Sequence, residues 1–283
     1  MPLPTPAAVA LSARYRLAVG TTPRGGVPGE RLGHGTGSSL EFEDRRPYSV
    51  GDDIRHLDWR AYARTDQPMV QVFREEVTPR LEIYLDATAS MGVDPGKAQL
   101  ALDLVAILGE CARADGYATK LLVLADGVRE VAREEFLAEE TQFAGVAPLL
   151  ELVRAARPLT QSGSVRVLVS DFLVEDGVAR IARELAGRAG RIAFLQVLAA
   201  FDRHPPADSA LRLVDAEDGT FQDLVLDAPT LRLYRGRLER LLDSVRQAVH
   251  RTGGLYALVS GDESAALACD QALCRAGLLA PAG

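Results

Sequence analysis

Five short apolar runs, Leu81–Leu85, Thr119–Ala125, Val165–Ser170, Arg191–Leu198 and Leu255–Ser260, alternate with longer segments whose apolar residues return at every third or fourth position. No other feature narrows the fold so far. Parallel strands need a long crossover between them, usually a helix, and strands covered on both faces read as nearly continuous apolar runs. Helices are predicted over Lys97–Arg113, Pro148–Arg157, Gly177–Ala189, Thr230–Arg251 and Asp262–Arg275. In the first, Leu100, Leu104, Ile107, Leu108 and Cys111 mark the stripe of a helix laid on a sheet. The expected fold class is α/β, with a doubly wound, mostly parallel sheet. One edge strand is expected to run antiparallel, because Lys120–Ala125 and Val128–Ala132 flank Asp126-Gly127, a pair suited to the positive φ angles of a two-residue hairpin turn. Phe201–Asp227 fits no helix; Asp208, Asp215, Glu217, Asp218 and Gly219 beside the alternating Leu211-Arg212-Leu213-Val214 predict a hairpin insertion near 201–227.

The first strand delivers chemistry to its loop. Asp86-Ala87-Thr88-Ala89-Ser90 follows Leu81–Leu85 directly and places a carboxylate and two hydroxyls at every second residue. Such donors suit a small hard cation like Mg²⁺, which keeps several waters and needs few protein oxygens. Asp171 ends the Val165–Ser170 run in the same way. Ligands of open parallel sheets bind beyond the carboxyl ends of the strands, so Asp86 and Asp171 converge if their strands are neighbours. Asp86, Thr88, Ser90 and Asp171 are therefore the candidate metal ligands. The competing reading is plain helix capping, by Asp86–Ser90 before the helix near Lys97 and by Asp171 before the helix near Gly177.

Ahead of this region the character of the chain differs. Residues 1–32 are expected to form a flexible or irregular arm, on the strength of the loop-forming stretch Thr21-Thr22-Pro23-Arg24-Gly25-Gly26-Val27-Pro28-Gly29. Residues 33–78 form a charged, aromatic segment expected to pack on a main domain at 79–283. Within it Arg46, Asp58, Trp59, Arg60 and Arg64 are candidates for partner contact, since Trp and Arg dominate interface energetics; a self-satisfying charge network is the alternative. A net charge of −7 argues against a general attraction to nucleic acid. The mildly apolar stretch from Pro4 to Ala13 has neither a basic leader nor the length of a membrane span, so no signal peptide and no span are expected. Cys111, Cys269 and Cys274 lack the spacing of a zinc site and suit buried thiols in a reducing compartment, which makes the cytoplasm the expected location. His34, His56, His204 and His250 are too scattered to form a cluster.

These residues also carry a resemblance. Asp86-Ala87-Thr88-Ala89-Ser90-Met91, the Asp126-Gly127 hairpin and Ser170-Asp171-Phe172-Leu173 together resemble a von Willebrand factor A-like domain with its metal-ion-dependent adhesion motif. Glu41-Phe42, the run from Arg46-Pro47-Tyr48 through Gly51-Asp52-Asp53 to Asp58-Trp59-Arg60, and Ala63-Arg64-Thr65 resemble the signature of the bacterial family called domain of unknown function 58. The likeness follows the order of elements from about Gly33 to Leu279. It implies Mg²⁺ (or Mn²⁺) held by Asp86, Thr88, Ser90 and Asp171, with Thr88 keeping the hydroxyl of the usual Ser. A further Thr is implied before the Asp171 strand; Gly145-Val146-Ala147 stands there, with Thr141 and Thr160 the nearest substitutes.

The resemblance further implies a partner, a MoxR-type AAA+ ATPase with its client proteins, and a chaperone-like role in assembling or activating other complexes. The expected function is a non-enzymatic, metal-dependent protein-interaction module. One alternative is a Mg²⁺-dependent phosphohydrolase with Asp86 as nucleophile, although Thr88 stands where a second Asp would serve as acid and base. Another is a structural domain with a vestigial site. The chain has no glycine-rich Walker loop and is not expected to hydrolyse ATP itself.

Overall fold

The apolar runs become one six-stranded sheet, ordered Leu255–Ser260, Arg191–Leu198, Val165–Ser170, Arg80–Asp86, Ala118–Leu124 and Val128–Val131. Every neighbouring pair is parallel except the last, which is antiparallel. The computed structural model describes residues 2–19, 40–75, 78–174, 177–207, 209–214 and 219–283. The chain divides into two units, Gly25–Thr78 and the remainder, Met1–Arg24 with Pro79–Gly283.

In the larger unit both faces of the sheet are covered. Leu81, Ile83 and Leu85 point to one side and pack with Leu104, Ile107 and Leu108 of the helix Pro95–Ala114. Tyr84, Leu168 and Phe194 point to the other and meet Leu152, Ile181 and Val249 from the helices Leu149–Ala155, Val178–Ala186 and Ala228–His250. This is the doubly wound arrangement expected of alternating strands and helices. The central strand Arg80–Asp86 has its carboxyl end beside that of Val165–Ser170, with Leu85 opposite Val169.

A buried ion pair fastens the amino-terminal half of the same two strands. Arg166 Nε donates to Glu82 Oε2 at 3.0 Å, Nη1 to the carbonyls of Leu185 and Gly187 at 2.9 and 2.8 Å, and Nη2 to that of Gln161 at 3.0 Å. One guanidinium thus ties two strands to the turn after a helix, and no buried side-chain nitrogen or oxygen is left unpaired among the described residues.

Three expectations need correction. The hairpin at Asp126-Gly127 forms, but Leu124 pairs with Val128 across a three-residue connection, and neither Asp126 nor Gly127 has a positive φ. Asp126 Oδ1 instead accepts the Val146 N–H at 2.8 Å, so its side chain serves a neighbouring loop. The irregular arm does not hold for residues 2–19. Thr5 caps the helix Pro6–Leu11, and Tyr15–Leu17 pairs antiparallel with Leu279–Pro281. Ala8, Tyr15 and Val19 are buried, and Thr5 N and Leu17 N donate to Asp103 and Asp115 at 2.7 and 2.6 Å, so the segment completes the cover of the first face. Finally, the helix expected over Asp262–Arg275 forms as one continuous run, Ala265–Ala268, a wide π turn at Cys269–Leu273 and Cys274–Ala276, but its start is delayed to the Ser264 cap.

The inserted hairpin is present as Ala210–Val214 paired antiparallel with Phe221–Val225. Residues 20–39, which include the rest of the arm and the start of the charged segment, lie outside the described residues, as do 76–77, 208 and 215–218. No helix among the described residues is long and apolar enough to cross a membrane.

The smaller unit is an antiparallel pair, Leu40–Pro47 with Met69–Glu75, and a short helix Trp59–Thr65. Asp58 is 4% exposed; its carboxylate accepts from Arg60 N at 3.1 Å, Ala61 N at 2.9 Å and Arg45 Nε at 2.7 Å. It is an internal cap, which removes it from the expected contact residues. Arg46 makes a two-pronged pair with Asp52 at 2.7 and 2.6 Å. Trp59 is 65% exposed, edge-on to Tyr62, and Arg60 and Arg64 are exposed on the same helix. In this unit Arg45, Arg46, Asp52 and Asp58 form the charge network, while Trp59, Arg60 and Arg64 are exposed.

Removing one partner of a buried pair strands the other, at a cost of about 3–5 kcal/mol. Urea unfolding of Arg166→Leu, followed by circular dichroism, is expected to show a loss of that size; a loss below about 1 kcal/mol would contradict the fastening role.

Candidate functional site

The site is built where two parallel strands end side by side. Asp86 is the last residue of its strand and is 2% exposed. Its Oδ1 accepts from Thr88 N at 3.0 Å and Thr88 Oγ1 at 2.7 Å, and its Oδ2 from Ser170 Oγ at 2.6 Å. With the Thr88 proton on Asp86, Ser90 Oγ, 3.2 Å away, donates to Thr88. Asp86, Thr88 and Ser90 are therefore one hydrogen-bonded set, and Ser170 ties it to the neighbouring strand.

Asp171, 3% exposed, follows Ser170. Its Oδ1 accepts from Leu173 N at 3.0 Å, and its backbone carbonyl from Gln196 Nε2 at 2.6 Å. The next residue, Phe172, has φ of 53°, a left-handed conformation rare for a bulky side chain. Stacking on Phe194 at 4.5 Å and the Phe172 N–H donated to Ser170 Oγ at 3.0 Å hold that bend. Asp171 Oδ2 faces Lys97, whose Nζ lies at 3.0 Å; both side chains are almost fully buried.

Burial, reinforced by the nearby Asp171 carboxylate and opposed by the hydrogen bonds from Ser170 and Thr88, pushes the Asp86 carboxyl up to about 6. Asp86 therefore senses the Asp171 charge. Asp202, beyond Asp171 on this edge, is also raised, chiefly by burial, with the Lys97 charge acting in the opposite direction.

The expected Thr is absent for a steric reason. Gly145 lies against the Asp86 loop as a strand would: it pairs with Thr88, its N–H donates to Ala87 O at 3.2 Å and its carbonyl accepts from Ala89 N at 2.8 Å. A Cβ at position 145 would stand 2.5 Å from Ala125 Cα, so no side chain fits there. Thr141 is buried with its N–H on Pro2 O, and Thr160 Oγ1 donates to Arg157 O; neither joins the set.

The structure thus brings Asp86, Thr88 and Ser90 into one cluster and sets Asp171 on the adjacent strand end, within electrostatic reach. Hydroxyl and carboxylate oxygens from two segments fit a small hard divalent ion that keeps part of its water shell. No group of three or more His, Cys, Asp or Glu among the described residues forms a cage, so the hydroxyls are needed to complete the donor set. Ser170, Gln196 and Lys97 were not read from sequence as site residues. Gln196 sits inside an apolar strand, where nothing marks it out; Ser170 ends its strand and belongs to the motif quoted above, but its sequence position gives no sign that it donates to Asp86. Lys97 did leave a signal, a basic residue in the first turn of a helix, where the dipole disfavours it.

Two outcomes follow from this geometry. The folded protein holds the Asp86 proton more tightly than the unfolded chain, so this group favours folding most in acid, and that contribution is lost as pH rises from the ordinary carboxylate range through about 6. Thermal and urea unfolding of Asp86→Asn in EDTA should therefore shift in the variant's favour, relative to wild type, by about 2 kcal/mol between pH 4 and pH 7. A pH-independent difference would contradict the raised value. Gly145→Ala should lose on the order of 3 kcal/mol by urea unfolding, because the backbone on both sides must part; no loss would contradict the close approach.

Comparison with known proteins identifies the family. The uncharacterized protein Rv1480 of Mycobacterium tuberculosis is 28% identical over 228 residues, covering 74% of this chain and 70% of its own length. An uncharacterized Mycobacterium bovis protein, Mb1516, matches to the same extent, 28% over 228 residues. Among solved structures, the conserved hypothetical protein BatB from Bacteroides thetaiotaomicron is similar with a TM-score of 0.40 at 16% identity, over 68% of this chain and 96% of that one. A von Willebrand factor type A protein from Catenulispora acidiphila is similar with a TM-score of 0.36 at 12% identity, over 71% of this chain and 43% of that one. The model of the family described as "Protein of unknown function DUF58" matches residues 44–240, and the chain belongs to that family.

Proposed function

We propose that this protein is a non-enzymatic interaction module that docks partners on the carboxyl-end edge of its sheet. The observation that carries the reading is an apolar rim around a polar centre. Val93, Val146, Leu173 and Phe201 are 69%, 52%, 43% and 40% exposed, and they flank the Asp86–Ser90 loop, Gly145 and Asp171. Large apolar side chains left in solvent around convergent polar groups mark protein contact surfaces.

Asp86, Thr88, Ser90 and Asp171 would hold the Mg²⁺ or Mn²⁺ implied by the motif, and the ion would supply positive charge for a partner's carboxylate. The chain's own residues do the remainder. Thr88 and Ser170 orient the Asp86 carboxylate, Gln196 and the Phe172 bend fix Asp171, and Gly145 pins the loop. With a threonine rather than an acid at 88, the loop lacks the second carboxylate that would serve as acid and base in phosphoryl transfer through Asp86.

The family signature supports a MoxR-type AAA+ ATPase as partner, with its clients as the proteins being assembled or activated. A cytoplasmic setting suits the cysteines: Cys111 and Cys269 are buried free thiols, each pushed up to about 12 mainly by burial and so unreactive.

Pull-down with the MoxR-type ATPase of the same organism tests the reading. Leu173→Asp, on the exposed rim, is expected to lower recovery roughly tenfold while leaving the melting temperature of the protein unchanged. Recovery equal to wild type would remove this edge from the interaction, and phosphatase turnover abolished by Asp86→Asn would replace the reading with an enzymatic one.

A further inference from the structure

Of the 32 basic residues in this chain only Lys97 and Lys120 are lysines, and Lys97 is the one placed at the site. It is 2% exposed and lies in the first turn of the helix Pro95–Ala114. Burial and the positive end of the helix dipole both oppose a cation there, and the Asp171 carboxylate at 3.0 Å offsets them. An arginine, the residue this chain otherwise prefers, would bring a planar fork; an ammonium is a compact point charge, nearer in shape to a metal ion.

Space opens beside it. A cavity of about 220 Å³ is lined by Lys97 and Ser90 together with Asp94 and Asp202, two further carboxylates. Asp94 already caps the helix by accepting Lys97 N at 2.8 Å, and the Lys97 charge already acts on Asp202. The flexible four-carbon stem of lysine therefore has a second acidic neighbourhood to turn toward.

We propose that Lys97 is the resident cation of this edge and competes with the divalent ion for Asp171. With the ammonium on Asp171, that carboxylate is paired without metal. When the ion binds, the ammonium leaves Asp171 for the cavity between Asp94 and Asp202. Metal affinity is set by that exchange, and the edge stays folded in either state. The proposal rests on the reading that Asp86, Thr88, Ser90 and Asp171 take a divalent ion, and it concerns the chain alone, with no partner present.

Mn²⁺ titration of the full chain, read by electron paramagnetic resonance, provides the test. Lys97→Gln, which keeps a hydrogen-bond donor for Asp171 and removes the charge, is expected to bind Mn²⁺ roughly tenfold or more tighter than wild type, whereas Lys97→Arg is not. A second measurement needs no variant. Reductive methylation of wild type should modify Lys97 several-fold faster at saturating Mn²⁺ than in EDTA, with Lys120 as the internal reference. Mn²⁺ binding that is equal or weaker in Lys97→Gln, or a Lys97 methylation rate indifferent to the ion, would overturn the competition while leaving the metal site standing. Binding by neither protein would overturn the metal reading itself, and the competition with it.

Discussion

Two carboxylic acids buried at the ends of neighbouring parallel strands are the constraint around which this edge of the protein is organised. Water cannot stabilise Asp86 or Asp171 where they lie, so the protein has to. It does so with different means for each. Asp86 receives two hydroxyls and a backbone N–H, and burial still holds its proton unusually tightly. Asp171 receives a backbone N–H and a full positive charge from Lys97. The left-handed bend at Phe172, the Gln196 amide on the Asp171 carbonyl and the side-chain-free approach of Gly145 all serve to keep these two acids in place.

Much of the scaffold was legible because it depends on simple periodicity. The strand runs at Leu81–Leu85, Val165–Ser170, Arg191–Leu198 and Leu255–Ser260 lie within or coincide with observed strands; the first three are buried on both faces, and the last, at the sheet edge, is partly buried. The N-terminal segment was misjudged because its cover of the core rests on a few well-spaced residues, Ala8, Tyr15 and Val19, and on hydrogen bonds to Asp103 and Asp115 some ninety-eight positions away. Local pattern carries no trace of such pairings. The turn at Asp126 failed for a similar reason, because its carboxylate answers a tertiary demand from Val146.

At the site, the residues that were legible are those whose chemistry is unusual for their place: an acid at a strand end and hydroxyls at alternate loop positions. Gln196 is hidden, since a polar residue within an apolar run carries no mark of what it will meet on the next strand; Ser170 is visible at its strand end, but its bond to Asp86 is not. Gly145 was noticed only as a missing threonine. Its role as the point where the loop and Ala125 touch emerges only once both are in space. In the smaller unit, Asp58 and Trp59 are adjacent in sequence yet opposite in character, one an internal cap and the other open to solvent, and charge pattern alone does not separate them.

Joined together, these parts make the carboxyl-end edge, as proposed, a cation-centred docking surface whose cation is a lysine until a divalent ion replaces it. Crystals grown with Mn²⁺, examined by anomalous scattering at the manganese edge, test it most directly. The account predicts a peak among Asp86, Thr88, Ser90 and Asp171, with the Lys97 ammonium turned away toward Asp202. A peak at that place with Lys97 still on Asp171, or no peak on this edge at all, would contradict it.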